Sequence, residues 1–200
     1  MCYINGKSGF EDLVDKNEFD EKVKLALPTA IDRYNESRYF AQLLSALKPN
    51  ESNIPQANWL LSAFFSAVIS IREAAEIDIT SRGISKSDFN KMDIAKEFYL
   101  PSDSPDPYEN DPLAVNRMFR DIRNLRVHFA VPLVEIKDGK WNLLKIEQNT
   151  FLKLKRRQTT EQEATAFFEY KESSSFIKGL FQHLFVLSLV ISQTIKEINA

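Results

Sequence analysis

Apolar positions recur at helical spacing through most of this chain and turn strand-like only in its last third. In PTAIDRYNESRYFAQLLSALKP, residues Ile31, Tyr34, Ala41, Leu44 and Leu47 lie three or seven apart, which predicts a helix from Pro28 with Pro49 marking its stop. A second helix is predicted from about Ile54 in NIPQANWLLSAFFSAVISIREAAEI. Its apolar residues, Trp59 and Leu60 through Phe64, Val68 and Ile71, cover much of the circumference, as in a helix buried at the centre of a bundle. SKSDFNKMDIAKEFYL predicts a shorter helix with Ser85 or Ser87 as N-cap. PSDSPDPYEND reads as a loop. The next helix is capped by Asp111, carries Pro112 in its first turn where the missing N–H does no harm, and runs to about Phe129 because Pro132 discourages continuation.

The period then changes. VPLVEIKDGKWNLLKIE sets Asp138-Gly139 between two apolar-rich runs, the signal of a two-residue hairpin turn. FLKLKRRQ alternates Leu152 and Leu154 against Lys153 and Lys155, the pattern of a third strand with one wet face. TAFFEYKE fits a fourth strand, or a helix capped by Thr160 with Glu163 three residues on; Ser173, Ser174 and Ser175, a natural N-cap for the last helix, favour the strand. That last helix, SSFIKGLFQHLFVLSLVISQTIKEI, is strongly apolar and returns to the bundle. The expected fold is mainly α: an antiparallel helical bundle with a small antiparallel β-sheet insertion before its last helix. We expect one domain over residues 1–200, with the bundle at about 10–130 and 173–198 and the β insertion at about 131–170.

Composition narrows the function. The 200 residues are 44% hydrophobic and 27% charged with five glycines, as in a globular helical protein. A net charge of −2 argues against coating nucleic acid non-specifically, which needs many cationic contacts to phosphate. Cys2 is the single cysteine, and His128 and His183 are the two histidines, so neither a disulfide framework nor a thiolate or histidine metal cluster is expected, nor any cofactor. The N-terminus lacks a basic segment followed by an apolar one, and position 2 is not the glycine that myristoylation needs. The most apolar run, LFVLSLVIS, is shorter than the roughly 18 residues of a membrane span. A cytoplasmic protein without membrane association is expected.

The candidate chemistry lies in RDIRNLRVHF, residues 120–129. At about 100° per residue, Met118, Ile122, Leu125 and Phe129 share one narrow sector, the expected core stripe. Arg117, Arg120, Asn124 and His128 share a second sector of roughly 80° and form a cationic ridge. Arg123 stands about 140° from His128, so the two do not stack on one helix. Their convergence requires the reach of the arginine, a distorted helix end near Pro132, or a second subunit.

This segment resembles the HEPN superfamily (higher eukaryotes and prokaryotes nucleotide-binding domain). Its members carry an Arg, four to six intervening residues and a His near the end of a core helix, often with Asn directly after the Arg. The match here is Arg123, Asn124, three residues, then His128, and WLLSAFFSAVISIREAAEI looks like the family's long apolar second helix. The likeness covers the helices, about two thirds of the chain, and does not extend to residues 131–170. It implies a metal-independent endoribonuclease of toxin or defence type, acting on RNA as a homodimer whose motif helices face each other, with an antitoxin or another protein as partner. Under that resemblance His128 is the general acid or base, Arg123 holds the charge developing on phosphorus, and Asn124 orients the imidazole or binds phosphate. Arg120 and Arg117 are candidate substrate-binding residues. Non-catalytic relatives imply the alternative, a module of the same fold that binds nucleotide, nucleic acid or a protein.

Each feature also has a plain structural account. His128 suits the negative end of a helix dipole. Arg117, Arg120 and Arg126 read as a charged outer face, partnered by Asp121 or by Glu residues elsewhere. Lys153, Lys155, Arg156 and Arg157 form the densest basic cluster, suited to steering a phosphate backbone, but read more readily as a solvated strand edge protected by lysines. His183, set among Phe181, Leu184 and Phe185, reads as a core or boundary histidine. Glu36, Arg72 and Glu73 are candidates to support the site from neighbouring helices.

Overall fold

A computed structural model describes residues 19–96, 115–151, 153–154 and 176–198, without the side chains of residues 115–117 and 148. It is mainly helical. Helix α1 spans Glu21–Ala26 and α2 spans Pro28–Ala46; a single 3-10 turn, Glu51–Asn53, leads into α3, Ile54–Thr80. Two one-turn helices follow, α4 (Lys86–Phe89) and α5 (Asp93–Lys96), then α6 (Val115–Phe129). Strands β1 (Val134–Lys137) and β2 (Lys140–Leu143) precede a short helix α7 (Gln148–Phe151) and the long α8 (Phe176–Ile198).

The hairpin forms where the turn chemistry places it. Val134 pairs with Leu143 and Lys137 with Lys140 across an antiparallel two-stranded sheet. Asp138 and Gly139 take φ of 52° and 69°, the left-handed pair that a two-residue turn requires and that Asp-Gly tolerates. The sheet is pinned to the bundle at two points. Trp141 Nε1–H donates to the carbonyl of Leu47 just past the end of α2 at 2.8 Å, and the Leu133 N–H donates to Asn58 Oδ1 on α3.

The core is one continuous cluster in which α3 is central and packs most extensively on α2. Helix α2 begins without a side-chain cap of its own, Leu27 preceding Pro28. Asp78, buried near the end of α3, fills the gap: its Oδ2 accepts from the N–H groups of Thr29 and Ala30 at 2.9 and 3.0 Å. An acid from another helix thus satisfies two orphan donors and complements the dipole of α2.

Four expectations need correction. Trp59 is 71% exposed, because it lies on the side of α3 opposite the buried Leu61 and Val68. Phe129 is 46% exposed: it is the last residue of α6, and Ala130 directly after it turns left-handed (φ 53°) while its N–H donates to Arg126 O, so the last aromatic projects past the core. SKSDFNKMDIAKEFYL does not form one helix over its described part. Ser85 caps α4, whereas α5 starts anew with the Asp93 N–H donating to the Glu197 carboxylate of α8 at 3.2 Å. Finally, no strand starts at Phe151. The chain closes a helical turn there, with Thr150 N–H on Glu147 O and Leu154 N–H on Phe151 O, because the buried Phe151 anchors it to the core.

Length and hydropathy also correct the reading of LFVLSLVIS. Taken over whole helices, Glu51–Thr80 and Phe176–Ile198 are each long and apolar enough to cross a bilayer, although 56% of either apolar window is buried inside the bundle, as in a core helix. Asp111, Pro112, the 101–111 loop, TAFFEYKE with Thr160 and Glu163, Ser173 to Ser175, Lys155 to Arg157 and Cys2 all lie outside the described residues.

Candidate functional site

Helix α6 is held against α3 and α8 by aromatic contacts. The buried Phe119 ring lies 4.5 Å from Phe65 and 6.0 Å from Phe64 on α3, and 4.9 Å from His183 on α8. Met118, Ile122 and Leu125 are fully buried beside it, three of the four expected core residues. His183 is a core residue, buried and edge-on to Phe119. Asp121, expected from the sequence as a partner for the outer-face arginines, is itself fully buried.

This packing decides where the basic residues go. Arg123 lies one turn beyond Phe119 and is half-buried along the α3 side of the helix. Its Nε is buried and meets no hydrogen-bond acceptor among the described residues. Burial, and secondly the like charge of Arg120, lower the Arg123 pKa from its ordinary value, against the pull of the Glu73 carboxylate on α3. The guanidinium nonetheless stays charged at any physiological pH. Arg123 is therefore a partly desolvated cation with a second cation nearby and an unused donor.

Asn124 is half-buried and Arg120 likewise, whereas His128 is exposed at the last turn. The side chain of Arg117 lies outside the described residues. Arg126 serves the helix end, its Nη1 donating to Ala130 O at 3.1 Å and reaching Val131 O at 3.5 Å. Its role is structural, a cation capping terminal carbonyls. Within one chain Arg123 and His128 remain on different sides of α6, as the wheel expects. What is brought together is Arg123, Arg120 and Glu73.

Of the three supporting residues suggested by sequence, Glu73 alone acts on this group. Glu36 pairs with Arg33 on its own helix at 2.6 Å. Arg72 is occupied elsewhere: it contacts Glu76 at 3.1 Å and Asn90 at 2.9 Å, and stacks 5.2 Å over the Phe89 ring, tying α4 to α3. Among the described residues no three His, Cys, Asp or Glu side chains form a group that could hold a metal ion. Lys153, set just after α7 and not on a strand, is exposed. Comparison of the chain with protein-family models, with curated proteins and with solved structures finds no match to any of them.

Proposed function

We propose that this chain is a cytoplasmic HEPN-like domain that takes RNA phosphate on the α6 ridge and cleaves the strand from a dimeric site. The observation that supports the reading is the state of Arg123. A half-buried guanidinium whose Nε lacks an acceptor, next to Arg120, is poised for an anion from outside the described residues. A phosphate suits it, because the planar fork of arginine matches two phosphate oxygens and the second cation adds attraction. Glu73 keeps the group from being wholly uncompensated in the absence of RNA.

The chemistry assigned to the site needs no external reactant. The ribose 2′-oxygen attacks the adjacent phosphorus, its proton passing to a base, while the bond to the 5′-oxygen breaks and that oxygen gains a proton. His128, exposed on the last turn, is available for either transfer. Arg123, with Asn124 one residue on, holds the charge that develops on the phosphoryl oxygens. Because the two groups do not converge in one chain, His128 must come from a second copy, and DNA, lacking the 2′-hydroxyl, is not cut.

That same separation favours a second reading, a non-catalytic module that binds RNA or nucleotide phosphate through Arg123 and Arg120. One experiment separates them. Purified protein is incubated with a mixed RNA pool in EDTA, wild type beside His128→Ala and Arg123→Ala. Products ending in 2′,3′-cyclic phosphate, lost in both variants, establish the nuclease. RNA retention without cleavage, lost only in Arg123→Ala, establishes the binding module, and neither outcome in the wild type refutes both.

A further inference from the structure

The last turn of α6 carries an open apolar side chain on either side of its histidine. Val127 is 57% and Phe129 46% exposed, and His128 between them is exposed as well. At about 100° per residue, each of the two stands little more than a quarter-turn round the helix from the imidazole, one to each side. A single exposed hydrophobe is ordinary on a protein surface. Phe129 differs in where it stands and in how firmly it is held. It lies about 40° from the fully buried Leu125 and about 20° from the fully buried Ile122, so it prolongs the core stripe of α6 past the last covered position.

The backbone beyond it is fixed, and the usual cover is absent. Ala130 is held at both its polar groups: its N–H donates to Arg126 O at 3.0 Å, and its carbonyl accepts from Arg126 Nη1 at 3.1 Å. In a continuing helix the side chain four positions on leans back over its predecessor. Here that position is Leu133, which the left-handed turn at Ala130 sends away from α6 and whose N–H is tied to Asn58 on α3. Phe129 is thereby left open on a rigid mount, and an aromatic side chain so placed loses little freedom when something covers it.

We propose that Phe129 is a stacking platform for an RNA base, so that the strand is taken unpaired where the site holds it. The inference rests on the reading of α6 as an RNA site and supplies what that reading lacks, since Arg123, Arg120 and His128 address phosphate and hydroxyl but no base. A nucleotide sends its base and its phosphate in different directions from the sugar, and two consecutive side chains diverging by about 100° meet both. Every base has a π face that an aromatic ring can take. In a duplex those faces are stacked inside the helix, so a base reaches Phe129 only from an open strand. Val127, on the other flank, has no π face and gives a neighbouring base contact without stacking. Because Phe129 directly follows His128, the platform travels with the imidazole whether one chain or two complete the site.

Binding tests this apart from cleavage. Every protein compared carries His128→Ala, so that bound RNA stays intact, and is titrated with a single strand free of self-complementarity, with the duplex it forms with its complement, and with a strand of abasic nucleotides. The parent is expected to hold the single strand more tightly than the duplex. Adding Phe129→Ala is expected to weaken the single strand about 5- to 140-fold, the span for losing one stacked base, and to leave duplex and abasic affinities unchanged. Phe129→Trp is expected to keep the tight binding and Phe129→Leu to lose it, a split that apolar packing alone does not produce. Single-strand affinity unchanged in Phe129→Ala but lost in Arg123→Ala overturns the platform and leaves the phosphate site standing. Phe129→Leu equal to the parent overturns it too, as does a loss accompanied by altered sedimentation of the free protein, which assigns Phe129 to a protein contact. A parent that binds no RNA overturns this inference together with the function on which it rests.

Discussion

Replacing Arg123 by methionine is expected to stabilise the free protein while weakening the RNA binding proposed for it. The magnitude comes from the state of the side chain. A buried donor without a partner carries a penalty of about 1–3 kcal/mol, and here one such donor, Nε, is present on a guanidinium that burial and Arg120 both disfavour. The group is half-exposed and Glu73 offsets part of the loss, so the low end of that range applies. Methionine retains the aliphatic stem against α3 and removes the donor. A gain of about 0.5–1 kcal/mol is expected, a rise of the melting midpoint of about 1–4 °C for a chain of this size. Urea and thermal unfolding without RNA measure it, and a filter-binding titration of single-stranded RNA measures the loss of affinity. Destabilisation by about 1 kcal/mol or more would show that Arg123 holds the fold together through contacts of its own. The argument that it awaits an anion would then fail.

Other perturbations test the frame that carries the site. Asp78→Ala strips two charge-assisted hydrogen bonds from the start of α2 and is expected to destabilise by about 2–4 kcal/mol in urea unfolding, with Asp78→Asn recovering a good part because the amide oxygen still accepts. If Asp78→Ala is neutral, the cross-helix cap is dispensable. Glu76 governs part of the acid limb. Its pKa lies below the ordinary 4.5, chiefly through the Lys86 hydrogen bond, so its contribution is present above that pH and is lost as pH falls through the folded value. Glu76→Gln should therefore lose less stability than wild type between about pH 5 and about pH 3, read from denaturant midpoints at the two pH values. An identical fall in both proteins rules the pair out as a stabilising contact.

The elements that were legible in the sequence are those whose local chemistry and tertiary setting agree. Helix α2 opens at Pro28, α3 at Ile54, and the hairpin turns at Asp138-Gly139, because each start or turn residue imposes its own backbone geometry. Errors arose where a partner distant in sequence decides. Trp59 looks like core until the position of α2 shows which side of α3 is closed. α5 needs Glu197, 104 residues on, to begin. The α1 helix, overlooked in the pattern, has a readable start in Asp20, whose side chain accepts from the Lys22 N–H at 2.8 Å. For the site, the angular gap between Arg123 and His128 followed from helix geometry alone. The buried, unpartnered Nε did not, since it depends on how Phe119 seats α6 between α3 and α8.

The interleaved order of the packing also sets a timetable for the growing chain. Helices α2 and α3 adjoin in sequence and close on each other through Asp78, so they can pair as soon as residue 80 has cleared the ribosome. Helix α8, which covers Phe119 and caps α5, arrives 118 residues later, from 80 to 198. At about 5–20 residues per second that is an interval of roughly 6–24 s. For those seconds a helical hairpin stands with one apolar side uncovered, a natural client for a chaperone and a natural target for a protease. A chain that ends between α6 and α8 keeps the Phe119 contacts on α3 but lacks the helix that packs on α2 and on the far side of Phe119.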